Sequence, residues 1–167
     1  MSDRPDGWGS AELEALGAIV VNFADLDWQA GRLLGGFIHF RDVAFLLTAG
    51  AGLGWTLEKL SVIAREALEG QEAGSALLAW AKTTGELAGR RNKLMHSFYL
   101  APDGDQPLTR MKAGTRGGKW KGESEPVGLA DLTETARLLA EGLAAADQIA
   151  GLLASCPEWQ DPAAPPP

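Results

Sequence analysis

The sequence is poor in the residues that build covalent or metal-held folds. Its 167 residues include one cysteine, Cys156, and two histidines, His39 and His96. A single cysteine excludes an intramolecular disulfide and a cysteine-rich zinc site. Neither histidine has a second histidine four residues away or sits in a Glu-x-x-His pattern, so no metal and no other cofactor is expected. Long apolar runs are missing too. The longest uncharged one, "GAIVVNFA" (17–24), is far too short to cross a bilayer, so no membrane partner is expected. The first ten residues lack a basic start followed by an apolar stretch, which predicts a cytoplasmic protein without a secretory signal. There is no Gly-x-Ser-x-Gly elbow and no dinucleotide fingerprint. "TAGAGLGWT" (48–56) has the glycines of a phosphate loop, but no strand pattern precedes it and no Gly-Lys-Ser/Thr follows, so it reads as a helix–helix turn.

Positive charge is scarce overall and concentrated where it occurs. The chain carries a net charge of −7, which by itself argues against nucleic-acid binding. Residues 82–121, however, hold nine Lys/Arg against three acids, a net +6, leaving six cations against nineteen acids, −13, for the rest. Such asymmetry fits a local anion-binding surface on a repelling body; it also fits an exposed, soluble lysine-rich hairpin.

Helical periodicity dominates what is present. Hydrophobic residues make up 46% of the chain, enough for one domain with a real core. Residues 1–9 read as a disordered leader, and Ser10 is a candidate cap. A first helix is predicted over about 10–40, with a possible extension to 48 and a bend at Gly35-Gly36. Its stripe is Leu13, Leu16, Val20, Phe23, Ala30, Leu34 and Phe37, interrupted at Asp27. Asp27 is either a partner for Arg32 or Arg91 or a helix edge reaching solvent. A second helix is predicted over about 54–69. A third, about 73–98, has the stripe Leu77, Trp80, Thr84, Leu87, Arg91, Leu94 and Phe98. Residues 99–128 alternate and contain turn dipeptides, predicting a β-hairpin or irregular excursion with "LTRMKA" and "KWKGES" as candidate strands. A fourth helix, about 129–154, has Leu129, Leu132, Ala136, Leu139, Leu143, Ala146, Ile149 and Leu153 inward. "PEWQDPAAPPP" ends the chain, and residues 156–167 are expected to be a disordered Pro-rich tail. The expected fold is all-α: an antiparallel four-helix bundle spanning 10–155, with the hairpin between helices three and four. Long excursions in compact domains are often functional.

One stripe position is chemically odd. Arg91 stands where an apolar residue belongs, and a buried guanidinium costs several kcal/mol unless paired. Either a carboxylate waits there, or the stripe opens on a wet cleft or a subunit seam. Asn92 and His96, four residues apart, share the adjoining face. Together the three residues suit a phosphate. A guanidinium grips two phosphate oxygens with its planar fork, an imidazole moves a proton near neutral pH, and an asparagine orients the imidazole or a sugar hydroxyl.

The run "RNKLMH" (91–96) resembles the Arg-x4–6-His signature of HEPN domains, including the polar residue that often follows the arginine, and it lies late in a helix of an all-α chain. The resemblance implies a metal-independent endoribonuclease, of the kind often found as toxins or phage-defence effectors, acting as a homodimer whose two motifs form one composite site. Carried over, Arg91 would stabilise the phosphorane, His96 would act as acid or base, and Asn92 would support the histidine. Products would bear 2′,3′-cyclic phosphate and 5′-hydroxyl ends. Arg90, Lys93, Arg110, Lys112, Lys119 and Lys121 would contact the RNA. An antitoxin or a nucleotidyltransferase partner is a further implication; the modified branch has tyrosine two residues after the histidine, where this chain has Phe98 and then Tyr99. The alternative is a non-catalytic HEPN-like bundle serving as adaptor, nucleotide-binding or dimerisation module, with Arg91 ion-paired to Asp27 or another acid. The large aromatic surface of Trp55, Trp80, Trp120 and Trp159 independently suggests dimerisation.

Overall fold

The structure, a computed structural model, describes residues 8–38, 50–100, 109–116 and 119–161; the side chains at 98, 100 and 112–123 lie outside this description. Four helices are described: α1 (Ser10–Gly35), α2 (Leu53–Glu66), α3 (Glu72–Met95) and α4 (Leu129–Leu153). Between α3 and α4 lies a three-stranded antiparallel sheet in the order β1 (Phe98–Leu100), β2 (Thr109–Arg116), β3 (Lys119–Pro126). The chain is thus an all-α bundle with a hairpin excursion, as expected, and none of the described helices is long and apolar enough to cross a membrane.

The helix ends follow from local chemistry. Gly9, not Ser10, precedes the first turn of α1, and no side chain caps it. At the start of α4 the Gly128 N–H donates to the Asp131 carboxylate at 3.1 Å, which meets one orphan donor and places an acid where the helix dipole favours it. The α2–α3 turn runs through Gly70 at φ +74°, a left-handed conformation that suits glycine. Helix α3 ends at Met95, three residues before the predicted limit, because Phe98 pairs with Met111 as a strand.

The core runs along all four helices. Ile19, Leu26, Leu33, Leu60, Leu77, Leu132, Leu139 and Leu153 are fully buried. Helix α1 packs chiefly on α4, α2 on α3, and α3 on α4, which leaves α1 and α3 diagonal. The direction of α1 departs from the expected up-and-down order. Asn22 donates to the Ala136 carbonyl at 3.1 Å and Gln29 to Asp147 at 3.2 Å, so α1 and α4 run in parallel. Trp80 donates to the Gly142 carbonyl while Arg90 lies at Asp131, so α3 and α4 are antiparallel. Gly36 ends α1 and Gly52 precedes α2. The predicted extension of the first helix over 39–48 lies outside the described residues.

The expected loose tail is docked over its first six residues. Trp159 is buried and its Nε1 donates to the Leu33 carbonyl at 3.1 Å. The Gln160 N–H donates to the Gly36 carbonyl at 2.9 Å. Asp161 receives Arg32 through two guanidinium nitrogens, at 3.0 and 2.6 Å. A Cβ at Gly36 would lie 2.0 Å from Trp159 Nε1, so this glycine is the seat of the indole rather than a bend. Proline content suggested disorder; one buried Trp and one forked ion pair override it. At the other end, Trp8 meets the Tyr99 ring edge-on at 5.0 Å, which orders the last residues of the supposed leader.

Candidate active site at the end of α3

Arg91 lies on the inward edge of the last turns of α3, half-buried. No carboxylate pairs with it among the described residues. Its guanidinium instead sits 4.5 Å from the centre of the Phe23 ring on α1, across the bundle diagonal. Nε is buried without a hydrogen-bond partner, and Nη1 donates to Asn92 Oδ1 at 3.1 Å. The ring face offers quadrupolar attraction to the cation but does not neutralise it. The charge therefore remains available to an anion, with the guanidinium carbon seated over the ring.

Asp27 is not the partner of Arg91 or of Arg32. It is exposed, and Arg32 is held by Asp161 and Asp147. Partial burial raises the Asp27 carboxyl above its ordinary value. The Arg32 guanidinium is also raised above its ordinary value, first by its hydrogen bond to Asp161.

His96 is the residue at which α3 stops. It is exposed, its backbone has left helical geometry (φ −111°, ψ 29°), and its N–H donates to the Asn92 carbonyl at 3.1 Å. Asn92 is exposed as well. Its Oδ1 accepts from Arg91.

The excursion fixes the helix end that carries these groups. A helix leaves its last carbonyls without partners. Here Ser97 Oγ donates to the Lys93 carbonyl at 2.5 Å and Tyr99 Oη to the Leu94 carbonyl at 2.5 Å. Arg110 Nη1 reaches the Lys93 carbonyl at 3.2 Å and Ser97 Oγ at 3.4 Å, while Nη2 pairs with Glu125 at 2.5 Å. Burial raises the Tyr99 phenol above its usual value; Arg110 opposes this and Glu125 adds to it. The strand register makes the contact possible, because Tyr99 stands opposite Arg110 and Arg110 opposite Glu125.

The structure divides the expected RNA-contacting cations. Arg110 is 7% exposed and committed to the helix end, so it is no part of a basic surface. Arg90 is half-buried with Nη2 3.5 Å from the Asp131 carbonyl, and Lys93 is exposed. Lys112, Lys119 and Lys121 lie in β2 and β3, with side chains outside the described residues. In register, Lys112 faces Glu123, and Arg110 faces Glu125. The +6 window stops just before these two acids, so charge counting along the chain overstated the basicity of the hairpin. Phe23, Ser97, Tyr99 and Glu125 were not anticipated around the motif. Phe23 had been read only as part of the α1 stripe, and no local pattern links it to residue 91.

The arrangement offers an anion a fixed guanidinium with an exposed imidazole one turn further on. Among the described residues no group of three or more His, Cys, Asp or Glu side chains could hold a metal ion. No family model, curated protein or solved structure matches this chain.

Proposed function

We propose that the protein is a HEPN-like endoribonuclease in which Arg91 and His96 of two copies act on one RNA phosphate. The observation that carries this reading is the uncompensated Arg91 guanidinium, over the Phe23 ring and five residues before the exposed His96. In this chemistry a 2′-hydroxyl attacks its neighbouring phosphate. His96 takes the hydroxyl proton or delivers one to the departing 5′-oxygen, with the second His96 of the pair free for the complementary step. Arg91 holds the oxygens that gain charge in the transition state. Asn92 keeps the guanidinium in place through Nη1. The RNA nucleotides supply nucleophile, electrophile and leaving group, so the residues here move protons and hold charge.

The test is incubation of the purified protein with total RNA or tRNA in EDTA, followed by end-group analysis. The expected fragments carry 2′,3′-cyclic phosphate and 5′-hydroxyl ends. Fragments with 3′-hydroxyl ends, or none at all, overturn the reading. A second reading has its own support: the stack on Phe23 ties α3 to α1, as a structural arginine would in a non-catalytic adaptor or dimerisation bundle. That reading predicts a large loss of thermal stability in Arg91→Ala with no RNA or nucleotide bound by the wild type. An antitoxin or nucleotidyltransferase partner belongs to the first reading and would be sought by co-purification with the neighbouring gene product.

A further inference from the structure

Cations are scarce in this chain, and several are tied to its own acids. Among the described residues Arg32, Lys59, Arg110 and Arg137 each pair with a carboxylate. Arg65 and Lys82 pair with none among those residues, and both line one groove of about 670 Å³ between α2 and α3. Both side chains are exposed. A groove of this volume is the size of a small-molecule site. Neither Arg91 nor His96 lines it.

The packing of the two helices sets the spacing of these charges. A Cβ at Gly85 would lie 4.0 Å from Leu57, and one at Gly74 3.1 Å from the Ala64 carbonyl oxygen. Helices α2 and α3 therefore run antiparallel. Lys82 comes level with Glu58, and Arg65 stands about two turns further along, ~10 Å away down the axis. Glu58 is engaged by Lys59 at 3.3 Å, and Lys59 in turn lies over the Trp55 ring at 5.6 Å. Between the two cations the groove is apolar. Leu78 and Ala79 line it from α3. Ser61 lines it from α2, but its hydroxyl donates to the Leu57 carbonyl of its own helix at 2.7 Å. An apolar span with a cation at each end is complementary to a chain with an anion at each end.

We propose that this groove binds a linear organic dianion, a dicarboxylate whose chain of about seven methylenes spans ~10 Å when extended. The Arg65 fork takes one carboxylate by its two oxygens, and the Lys82 ammonium takes the other as a point charge. The methylenes lie on Leu78 and Ala79 and are removed from water there. A body of net charge −7 repels a free dianion, so occupancy requires both cations and the apolar span together. Binding here stands apart from RNA cleavage, since the two sites share no residue.

The test is isothermal titration of the full chain at low salt with nonanedioate, nonanoate and butanedioate. Nonanedioate is expected to bind at least about tenfold more tightly than either of the others. Arg65→Gln and Lys82→Gln should each reduce nonanedioate to the level of nonanoate. Ala79→Trp is the sharper variant: it leaves both cations in place and fills the span between them, so binding should be lost. All three positions are exposed, and unchanged helical circular dichroism is expected in each variant. Nonanoate binding as tightly as nonanedioate would assign the groove to a chain with one charge. Butanedioate binding as tightly would assign it to charge alone. Either result overturns the proposal. So does an absence of nonanedioate binding up to about 10 mM, or binding unchanged in both Arg65→Gln and Lys82→Gln.

Discussion

At the scale of single residues, two charges read as a possible pair turn out to be independent. Arg91 stacks on Phe23, and Asp27 stands exposed with its carboxyl raised by partial burial. A carboxyl raised in the folded state binds a proton more tightly there than when unfolded. Its ionisation therefore subtracts stability as pH rises above the ordinary value of 3.8, and the penalty persists at neutral pH. Asp27→Asn is expected to raise thermal stability slightly at pH 7 and to have no such effect below about pH 3.5. Equal effects at both pH values would assign the change to packing. For Arg91 and Phe23, a double-mutant cycle with Arg91→Ala and Phe23→Ala should return a coupling of about 0.5–2 kcal/mol, read by denaturant unfolding. A coupling near zero would mean the ring does not hold the guanidinium. Arg91 was legible as an anomaly because one charge broke an otherwise apolar stripe. Its partner was not legible, since aromatic stacking across a bundle leaves no trace in spacing.

At the scale of elements, the sequence was most readable where a helix has a single apolar face. Leu77, Trp80, Thr84, Leu87 and Leu94 of α3, and Leu132, Leu139, Ala146, Ile149 and Leu153 of α4, are buried as their spacing requires. Helix α1 was misread by a rotation. The stripe through Val20 and Asp27 lies about a quarter-turn from the buried face, so Val20 and Asp27 are exposed while Ile19 and Leu26 are buried. The hairpin strands were found by alternation, but β1 was hidden because Phe98 also fits the helical period of α3. What the hairpin does could only come from its register, which sets Arg110 beside the last carbonyls of α3. Arg110→Ala should cost about 1.5–3 kcal/mol, since it removes charged hydrogen bonds to Lys93 and Ser97 and the pair with Glu125. Hydrogen exchange at residues 93–97 should rise in the same variant. An unchanged exchange rate would contradict the bracing role of the sheet. The docked tail makes a parallel case. Trp159→Ala should cost about 3–5 kcal/mol by emptying the seat over Gly36, whereas a disordered tail would tolerate it.

At the scale of the whole molecule, the bundle holds one guanidinium and one imidazole at the end of α3, opposite no acid that would cancel them among the described residues. A net charge of −7 repels polyanions from most of the surface, so RNA binding under the proposed function would be local to this end. The sheet fixes the helix end, and α1 supplies the ring beneath Arg91. The overall architecture was legible from periodicity. The parallel course of α1 and α4 was not, because apolar spacing fixes which face of a helix is buried and not which way the helix runs. The proposed cleavage of RNA by Arg91 and His96 is measured most simply as the rate in EDTA for wild type, Arg91→Ala and His96→Ala at equal concentration and equal folded fraction. The wild type is expected to cleave, and each variant to lose at least about a hundredfold. Equal rates in wild type and His96→Ala would rule the proposed role out.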